Sequence, residues 1–427
     1  MPFEALDEDI LLTILRLSDV YTVLMVSMTN KHLRRITLSK QLWLSLVQER
    51  AFRDALELPP PDREDLENRS TEQLVSLVKN AVIGPDSSWP DECSSGTQTS
   101  YEIPFAEREL YDIDLLPGAR YILLQIFKRE DIKLYIFDVW TARRLWQHSA
   151  GVRTPRWNID LVPGDPKARV LVARPVAYPT QTVYIEEVDL QTGVSQELFN
   201  SGFAGVFGEP DGIAGDFFLC TMPNLFVHGG RVLVNWRTST FVAFGRVGLN
   251  SAVKLIPGYI VSTYLEHSPP HQQILAVTAL EAFSNYWQPL IEINRVQLDN
   301  SSVTLPITMQ MRMEYKNRPL GARSVTGRLI VTPSALHRGA YTVDVHCDLP
   351  PEDPTLWGKL GKLIEARRNR KQPVACRVVL SFRFTPTPSP GEPCGLQFVS
   401  AQPFQTFFPR AVIDRSNHSI TVSYRPC

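Results

Sequence analysis

Cysteine is scarce in this chain of 427 residues, and a strong charge of either sign is absent. The six cysteines include no Cys-x-x-Cys pair, which is typical of buried or isolated thiols rather than of a disulfide framework. With 44 Lys and Arg against 45 Asp and Glu, the net charge of −1 gives no electrostatic basis for binding nucleic acid or an anionic membrane. We therefore predict that neither of these is a partner.

Long hydrophobic runs are lacking too. No apolar run approaches the ~20 residues of a membrane span, and Arg16 and Asp19 interrupt the best candidate. Residues 1–5 have neither the basic region nor the apolar core of a secretion signal. These absences predict a protein that resides inside the cell, in the cytoplasm, the nucleus or both.

Signature motifs of common enzyme classes are missing as well. The chain contains no Gly-x-Ser-x-Gly elbow, no Gly-x-x-x-x-Gly-Lys-Ser/Thr phosphate loop and no His-Glu-x-x-His zinc motif. His267 and His271 are four residues apart, but Pro269 and Pro270 between them break any helix that would align both rings on a metal. We therefore predict no catalytic residue, no metal site and no cofactor, and we expect that the protein is not an enzyme.

What the chain does have is an N-terminal segment, Leu6 to Trp43, that is very apolar for its size. Nineteen of its thirty-eight residues are apolar. They recur at helical spacing in two stripes, one of Ile10, Leu11, Ile14 and Leu15, the other of Val20, Val23, Leu24, Ser27 and Met28. A third short helix is predicted through residues 30–37. Three short helices of roughly forty residues cannot enclose that many large side chains by themselves. The segment is therefore predicted to be a docking module, covered by the rest of the chain or by a partner.

Four fragments of this segment follow one another at the spacing of a known domain. They are residues 6–15 (LDEDILLTIL), residues 19–27, residues 30–34 and the pair Leu42-Trp43. In this order they resemble the F-box, with one departure: the proline that normally follows its first leucine is Asp7 here. Asp7 is a good helix N-cap, so the helix start is preserved. The departure does remove a proline that F-boxes often use at the contact with their adaptor.

The F-box resemblance implies a partner and a set of contact residues. F-box helices dock the small adaptor subunit of a cullin-RING ubiquitin ligase, and through it the cullin. The resemblance assigns adaptor binding to Leu6, Ile10, Leu11, Ile14, Leu15, Val20, Val23, Leu24, Ser27, Leu33, Leu42 and Trp43. The alternative is an amphipathic helical bundle packed on its own C-terminal domain.

A proline run and a polar stretch separate this segment from the rest of the chain. Residues 44–52 continue as a helix that ends before Pro59, Pro60 and Pro61. Ser70 and Gln73 have the spacing of a capping box and predict one further helix. We therefore divide the chain into an F-box with its following helix (1–58), a Pro-rich and polar linker with one helix (59–100), and a β domain (101–427).

From about Tyr101 the apolar pattern changes from helices to short strands. Turn markers recur at Pro117-Gly118, Pro163-Gly164, Pro210-Asp211-Gly212 and Pro257-Gly258, a period of 46 to 47 residues that suits the blades of a β-propeller. We predict an α + all-β multidomain fold, in which a three-helix F-box and a helical linker precede a C-terminal β-propeller-like domain of about 6–8 blades. A pair of β-sandwiches or an irregular all-β domain is the alternative.

These features together predict a substrate-recognition adaptor of an SCF-type ubiquitin ligase, whose β domain binds an unidentified target protein. Exposed loops are the expected binding surface of the β domain. Trp140, Arg143, Arg144 and Trp146 cluster after a strand and are candidate target-binding residues, although packing within a blade explains both tryptophans somewhat better. The alternative functions are an F-box scaffold that acts outside a ligase and, less favoured because the motifs are missing, a propeller-fold enzyme.

Overall fold

The computed structural model of the protein describes most of the chain, with gaps at loops. It describes residues 6–83, 99–104, 110–128, 131–151, 155–177, 180–202, 207–222, 230–245, 249–266, 268, 271–293, 303–315, 318–320, 325–349, 376–387, 394–403, 411–415 and 419–424. The polar part of the expected linker, residues 84–98, and His267 of the histidine pair lie outside the described residues.

Residues 6–83 form a helical unit. Its helices are α1 (Glu8–Leu17), α2 (Val20–Ser27), α3 (Lys31–Thr37), α4 (Lys40–Gln48), α5 (Arg50–Ala55), α6 (Arg63–Asn68) and α7 (Thr71–Ile83). Side-chain caps set the starts of the first three, because Asp7, Asp19 and Asn30 each accept a hydrogen bond from a backbone N–H of the first turn. Within the described part of the chain, no helix is long and apolar enough to cross a membrane.

All seven helices contribute side chains to one apolar core. Trp43 is among its largest fully buried side chains, and its indole Nε1 donates to the carbonyl of Thr37 at 2.7 Å. Leu66 on α6 and Leu74 and Val78 on α7 also lie in this core. The segment 59–83, expected to be a linker with one helix, therefore belongs to the helical unit and contains two helices.

The predicted capping box at the start of α7 is present. The side chain of Gln73 accepts a hydrogen bond from the backbone N–H of Ser70 at 2.8 Å. In return, the hydroxyl of Ser70 accepts one from the backbone N–H of Gln73 at 3.3 Å. This reciprocal pair fixes where α7 begins and so places Leu74 and Val78, one turn apart, on the side of the helix that packs against α4.

The β region forms the blades of a six-bladed β-propeller. Blade 1 contains β2 (Leu110–Leu115), β3 (Tyr121–Lys128), β4 (Asp131–Asp138) and β5 (Arg143–Gly151). Blade 2 contains β6 (Arg156–Leu161), β7 (Lys167–Ala177), β8 (Thr180–Asp189) and β9 (Ser195–Asn200). Blade 3 contains β10 (Pro210–Ala214), β11 (Phe217–Thr221), β12 (Arg231–Asn235) and β13 (Thr240–Phe244), to which β17 (Gln288–Pro289) adds an outer strand.

Blades 4 and 5 are built in the same way, whereas the described part of blade 6 has three strands. Blade 4 contains β14 (Leu249–Ile256), β15 (Tyr259–Leu265), β16 (Gln273–Ala279) and β18 (Met309–Arg312). A small hairpin of β19 (Glu314–Tyr315) and β20 (Arg318–Pro319) follows. Blade 5 contains β21 (Val325–Pro333), β22 (Tyr341–Leu349), β23 (Cys376–Thr385) and β24 (Gly395–Pro403). Blade 6 contains β25 (Ala411–Arg415), β26 (Ser419–Tyr424) and β1 (Thr99–Pro104).

The ring is closed by pairing the first strand of the β region with the last. β1 pairs antiparallel with β26, from Thr99 opposite Tyr424 to Pro104 opposite Ser419. Tyr424 then joins this blade to blade 1: its hydroxyl donates to the carbonyl of Ala119 and accepts from the indole Nε1 of Trp140 at 3.2 Å. Closure leaves the ring without a free terminal blade.

Three of the four predicted turn markers are the first hairpin turns of blades 1, 2 and 4. The prediction is wrong for Pro210-Asp211-Gly212, which lies inside β10, while Gly215 and Asp216 form the turn of blade 3. Pro210 is tolerated there because it is the first residue of an inner strand, where a missing N–H costs little.

A second turn repeats between the third and fourth strands of blades 1, 2 and 3. Asp138 accepts from the backbone N–H of Trp140, and Asp189 accepts from those of Gln191 and Thr192. Asn235 accepts from the N–H groups of Arg237 and Thr238 in the same manner. These turns lie at the same end of the ring as the first hairpin turns, since strands two and three are antiparallel; we call this end the turn face.

The helical unit lies on the turn face and touches three consecutive blades. The backbone N–H of Tyr21 donates to the carbonyl of Leu336 in the blade 5 turn at 3.1 Å. The N–H of Ala411 in blade 6 lies 3.5 Å from the carboxylate of Glu57. In blade 1, Gly118 has a φ of +84° and a Cβ placed there would lie 3.1 Å from Asp54, so glycine serves both the turn and the close approach of α5. The ring closes within blade 6, so the helical unit contacts this blade and its two neighbours, blades 5 and 1.

Candidate functional site

Seven of the twelve residues assigned to adaptor binding lie in the core of the helical unit. These are Leu11, Leu15, Val20, Val23, Leu33, Leu42 and Trp43. Leu6 and Leu24 are partly buried against the same core, and the half-buried Ser27 donates to the carbonyl of Leu24 at 2.6 Å. In this structure the seven buried side chains shape the surface of the helical unit and do not reach a partner themselves.

The other two assigned residues, Ile10 and Ile14, are exposed. Their side chains are 50% and 38% exposed and lie on one face of α1 together with Leu17, which is 70% exposed. Tyr21 and Met25 on α2 and Met28 at its C-terminal end repeat the same i, i+4, i+7 spacing and are also exposed. We call these six residues the exposed apolar surface.

The concentration of this surface is unusual for the chain. Of the fourteen large hydrophobic side chains exposed in the described residues, seven fall between Ile10 and Leu38. Scattered single hydrophobics on a protein surface need no explanation, whereas several at helical spacing on two consecutive helices point to an interaction site. Sequence reasoning missed Leu17, Tyr21 and Met25, although the i, i+4, i+7 spacing from Ile10 and from Tyr21 indicates them.

Exposed basic side chains follow the exposed apolar surface along the sequence. From Val20 to Gln48 the sequence contains no Asp or Glu, while it contains Lys31, Arg34, Arg35 and Lys40. All four basic side chains are exposed, and Arg35 forms an exposed ion pair with Glu8 at 3.2 Å. A helical segment that combines exposed apolar side chains with exposed basic ones favours a partner that has an apolar groove and acidic groups.

The four predicted target-binding residues lie at or near the turn face, and they are engaged within the protein. Trp140 is half-buried and donates to Tyr424, while Trp146 is 3% exposed and donates to Glu186 of blade 2 at 3.0 Å. Trp146 is thus part of the packing between blades 1 and 2, and a target cannot contact it unless that core opens.

The two arginines of that set are exposed but also have partners in the ring. Arg143 donates to the carbonyl of Gln191 in blade 2, and the guanidinium of Arg144 lies 5.6 Å from the centre of the Tyr135 ring. Their role as target-binding residues stays a prediction, and a target that uses them has to approach at the end of the ring that carries the helical unit.

Three partly buried polar side chains, those of His148, Glu186 and Arg174, join blades 1 and 2 next to Trp146. Nδ1 of His148 lies 2.7 Å from Glu186, and Nε2 of His148 contacts Arg174. Burial raises the pKa of Glu186, but the hydrogen bond and charge of His148 and the bond from Trp146 outweigh it, so that the pKa lies below its usual value. Both ring nitrogens of His148 are occupied, so the pair has no free nitrogen with which to accept a substrate proton.

Charged residues also lie on the inner strands of the ring. Partial removal from water, and after it the charge of Asp112, raises the pKa of Asp114 on β2, while Arg328 on β21 and Lys254 on β14 act in the opposite direction. Asp211 and Arg231 form an ion pair at 2.9 Å within blade 3. No group of three or more His, Cys, Asp or Glu that could hold a metal ion is found in the described segments.

No protein-family model matches the chain, and no curated protein is significantly similar to it. Solved structures match at low identity. One is an uncharacterized protein from Listeria monocytogenes EGD-e (10% identity, TM-score 0.30), and the match covers 56% of this chain and 61% of that one. Another is the β-propeller domain of Cps50 (Swd1) from Myceliophteria thermophila (10%, TM-score 0.33, 71% and 75% covered). A third is an oligogalacturonate lyase in complex with manganese (12%, TM-score 0.34, 75% and 78%). Similarity at this level assigns no function, and the propeller fold is defined by the sheets of the chain itself.

Proposed function

We propose that this protein is a substrate-recognition adaptor of a cullin-RING (SCF-type) ubiquitin ligase. The helical unit docks the small adaptor subunit, and through it the cullin, while the propeller binds the protein to be ubiquitinated. The chain performs no chemistry in this arrangement. It raises the effective concentration of the target's lysines near the ubiquitin donor.

The exposed apolar surface is the observation that carries the proposal. Ile10, Ile14 and Leu17 on α1, Met25 on α2 and Met28 at its C-terminal end are left exposed, whereas sixteen hydrophobic side chains of the same unit are buried in its core. Exposing these apolar side chains to water costs free energy in a protein that works alone, and burying them against a partner recovers that free energy. The surface falls within the segment whose fragments resemble the F-box in order and spacing.

The charge distribution supports a protein partner of defined chemistry. The basic stretch from Val20 to Gln48 suits acidic groups on the adaptor, which steer association and set the register of the apolar contact. The helical unit lies on the turn face, away from the opposite end of the ring. A target bound at that end does not compete with the adaptor for space.

The direct test is purification of the tagged full-length chain from a eukaryotic cell extract, with the proteasome inhibited. We expect the adaptor and the cullin to co-purify with the wild-type chain and to fall at least tenfold with Ile10→Asp/Ile14→Asp. The two isoleucines are 50% and 38% exposed, so burying the remainder contributes about 1–3 kcal/mol. An unpaired carboxylate placed in the apolar contact adds a further penalty of a few kcal/mol.

A matched control is available elsewhere in the chain. Ile291 and Ile307 are 84% and 40% exposed and lie in the insertion of blade 4, so Ile291→Asp/Ile307→Asp changes the same residue types without touching α1. Equal loss in both variants, or no loss in either, rejects the exposed apolar surface as the docking site. Capture of the adaptor without a cullin favours a scaffold that acts outside the ligase. Absence of the adaptor from the wild-type purification rejects the proposal.

A further inference from the structure

The turn that joins β21 and β22 in blade 5 extends into the helical unit and completes its core. Ala335 and Leu336 of this turn pack against the core side chains of the helices. The carbonyl of Leu336 also accepts from the N–H of Tyr21, which lies in the first turn of α2. Amides in the first turn of a helix have no acceptor within the helix, so the turn supplies one from outside.

His337 continues the contact from the side of α2. Its ring centre lies 4.4 Å from that of Tyr21, and its Nδ1 lies 3.8 Å from the carboxylate of Asp19, the residue that caps α2. Its Nε2 contacts Arg383 on β23. Because arginine is always a donor, Nε2 is the accepting nitrogen and Nδ1–H faces Asp19. One imidazole therefore connects the cap of α2 to the third strand of blade 5.

Arg338 reaches the other helices at the same junction. Its guanidinium donates to the carbonyl of Leu17 at the end of α1 (3.3 Å) and lies 3.5 Å from the carboxylate of Glu49 after α4. Leu17 and Tyr21 both belong to the exposed apolar surface. The turn is thus bonded to the backbone of α1 and of α2, at the point between the two helices that present this surface.

We propose that residues Ser334 to Gly339 are a latch that fixes the orientation of the exposed apolar surface relative to the propeller. The functional consequence rests on the proposed adaptor role, whereas the latch itself is defined by contacts within the chain. A helical unit held at three blades presents its partner at a set distance from the target. A unit released from blade 5 keeps only its contacts with blades 6 and 1, so its orientation varies more, which lowers the effective concentration of target lysines at the ubiquitin donor.

The test uses the full-length chain with Leu336→Ser/Arg338→Ala, and His337→Ala as a milder second variant. Hydrogen exchange of the Tyr21 amide and small-angle scattering report on the latch without any partner. We expect exchange to become at least tenfold faster and the maximum dimension to increase, while the melting transition of the propeller is kept. The matched control is Val194→Ser/Arg237→Ala in turns of blades 2 and 3. The side chain of Arg237 is 63% exposed and forms an ion pair with Asp216 at 3.2 Å. The side chain of Arg338 is 62% exposed and forms an ion pair with Glu49 at 3.5 Å.

Unchanged exchange and scattering in both latch variants overturn the proposal, whatever the partner turns out to be. Faster exchange together with normal adaptor capture and reduced ubiquitin transfer to the target supports it. Faster exchange with full transfer overturns the role in orientation. If the wild-type chain captures no adaptor, the proposed ligase function fails, while exchange and scattering still decide whether the turn acts as a latch.

Discussion

Tyr424 closes the ring through its hydroxyl group, which makes Tyr424→Phe a test of how blade 6 is joined to blade 1. The side chain is 1% exposed, and burial raises the pKa of Tyr424 to about 12. The hydroxyl therefore stays protonated at neutral pH and keeps donating to the carbonyl of Ala119 while it accepts from Trp140.

The cost of removing this hydroxyl follows from what it leaves behind. A buried polar group that loses its partner costs about 1–3 kcal/mol, and a further hydrogen bond contributes about 0.5–1.5 kcal/mol. The backbone of Ala119 is in a buried turn, whereas the indole of Trp140 is half-buried and reaches water more easily. We expect Tyr424→Phe to lower the free energy of unfolding by about 2–4 kcal/mol, and the melting temperature by at least ~4 °C.

The assay is thermal unfolding followed by far-ultraviolet circular dichroism. Tyr286→Phe is the matched control, because this tyrosine is 43% exposed and its loss of a hydroxyl should change the melting temperature little. Trp140→Phe in the Tyr424→Phe background should cost less than in the wild type, since the shared hydrogen bond is already gone. If Tyr424→Phe melts like the control, the hydroxyl contributes nothing to closure and the reasoning is refuted.

Two further predictions concern the helical unit. Leu15 is 1% exposed, so Leu15→Ala should destabilise the helical unit by about 2–5 kcal/mol and speed hydrogen exchange in α1, α3 and α4. Ile14 is 38% exposed, so Ile14→Ala should leave exchange nearly unchanged. Equal effects of the two variants would mean that Leu15 is not buried more deeply than Ile14. Burial, and after it the charge of Arg383, lowers the pKa of His337 below 6.5 despite the carboxylate of Asp19. The imidazole of His337 therefore binds a proton more readily in the unfolded chain than in the folded one. The contact of His337 with α2 should be intact above pH 6.5 and weaken as the pH falls through that value. The weakening should appear as faster hydrogen exchange of the Tyr21 amide in the wild type and should be absent in His337→Gln. An equal pH response in both proteins would contradict the prediction.

The sequence predicted the positions of α1 to α3 well, but it did not show which face of them points outward. Ile10 and Ile14 alternate with Leu11 and Leu15 along one helix, and all four are apolar. Periodicity separates apolar from polar positions, so it cannot rank two apolar faces that lie side by side. The propeller and the other helices decide the outcome, because they cover Leu11 and Leu15 and leave the isoleucines free.

The blade period was visible because tight turns need particular residues at fixed places, and Gly118, Gly164 and Gly258 all have positive φ. The number of blades was harder to predict, because blades 4 and 5 carry long connections that break the 46 to 47 residue period. Residues such as Trp146 show a further limit. For a tryptophan after a strand, the sequence favours packing over binding only slightly, and the Glu186 carboxylate of the next blade beside the indole shows that Trp146 packs between blades.

The pairing of β1 with β26 has a consequence for the order of events on the ribosome. The hydroxyls of Ser100 and Ser423 lie 2.9 Å apart in the closed ring although the two residues are separated by 323 positions in the chain. At ~5–20 residues per second, the ribosome needs about 15–65 s to make the partner of β1 after β1 itself has emerged. During that time Ile103, which ends fully buried, is exposed on an unpaired strand directly after the helices. The helical unit can fold early, but its contact surface on blades 5 and 6 is made after blades 1 to 4, so an incomplete intermediate with exposed apolar residues persists until those two blades have been synthesised.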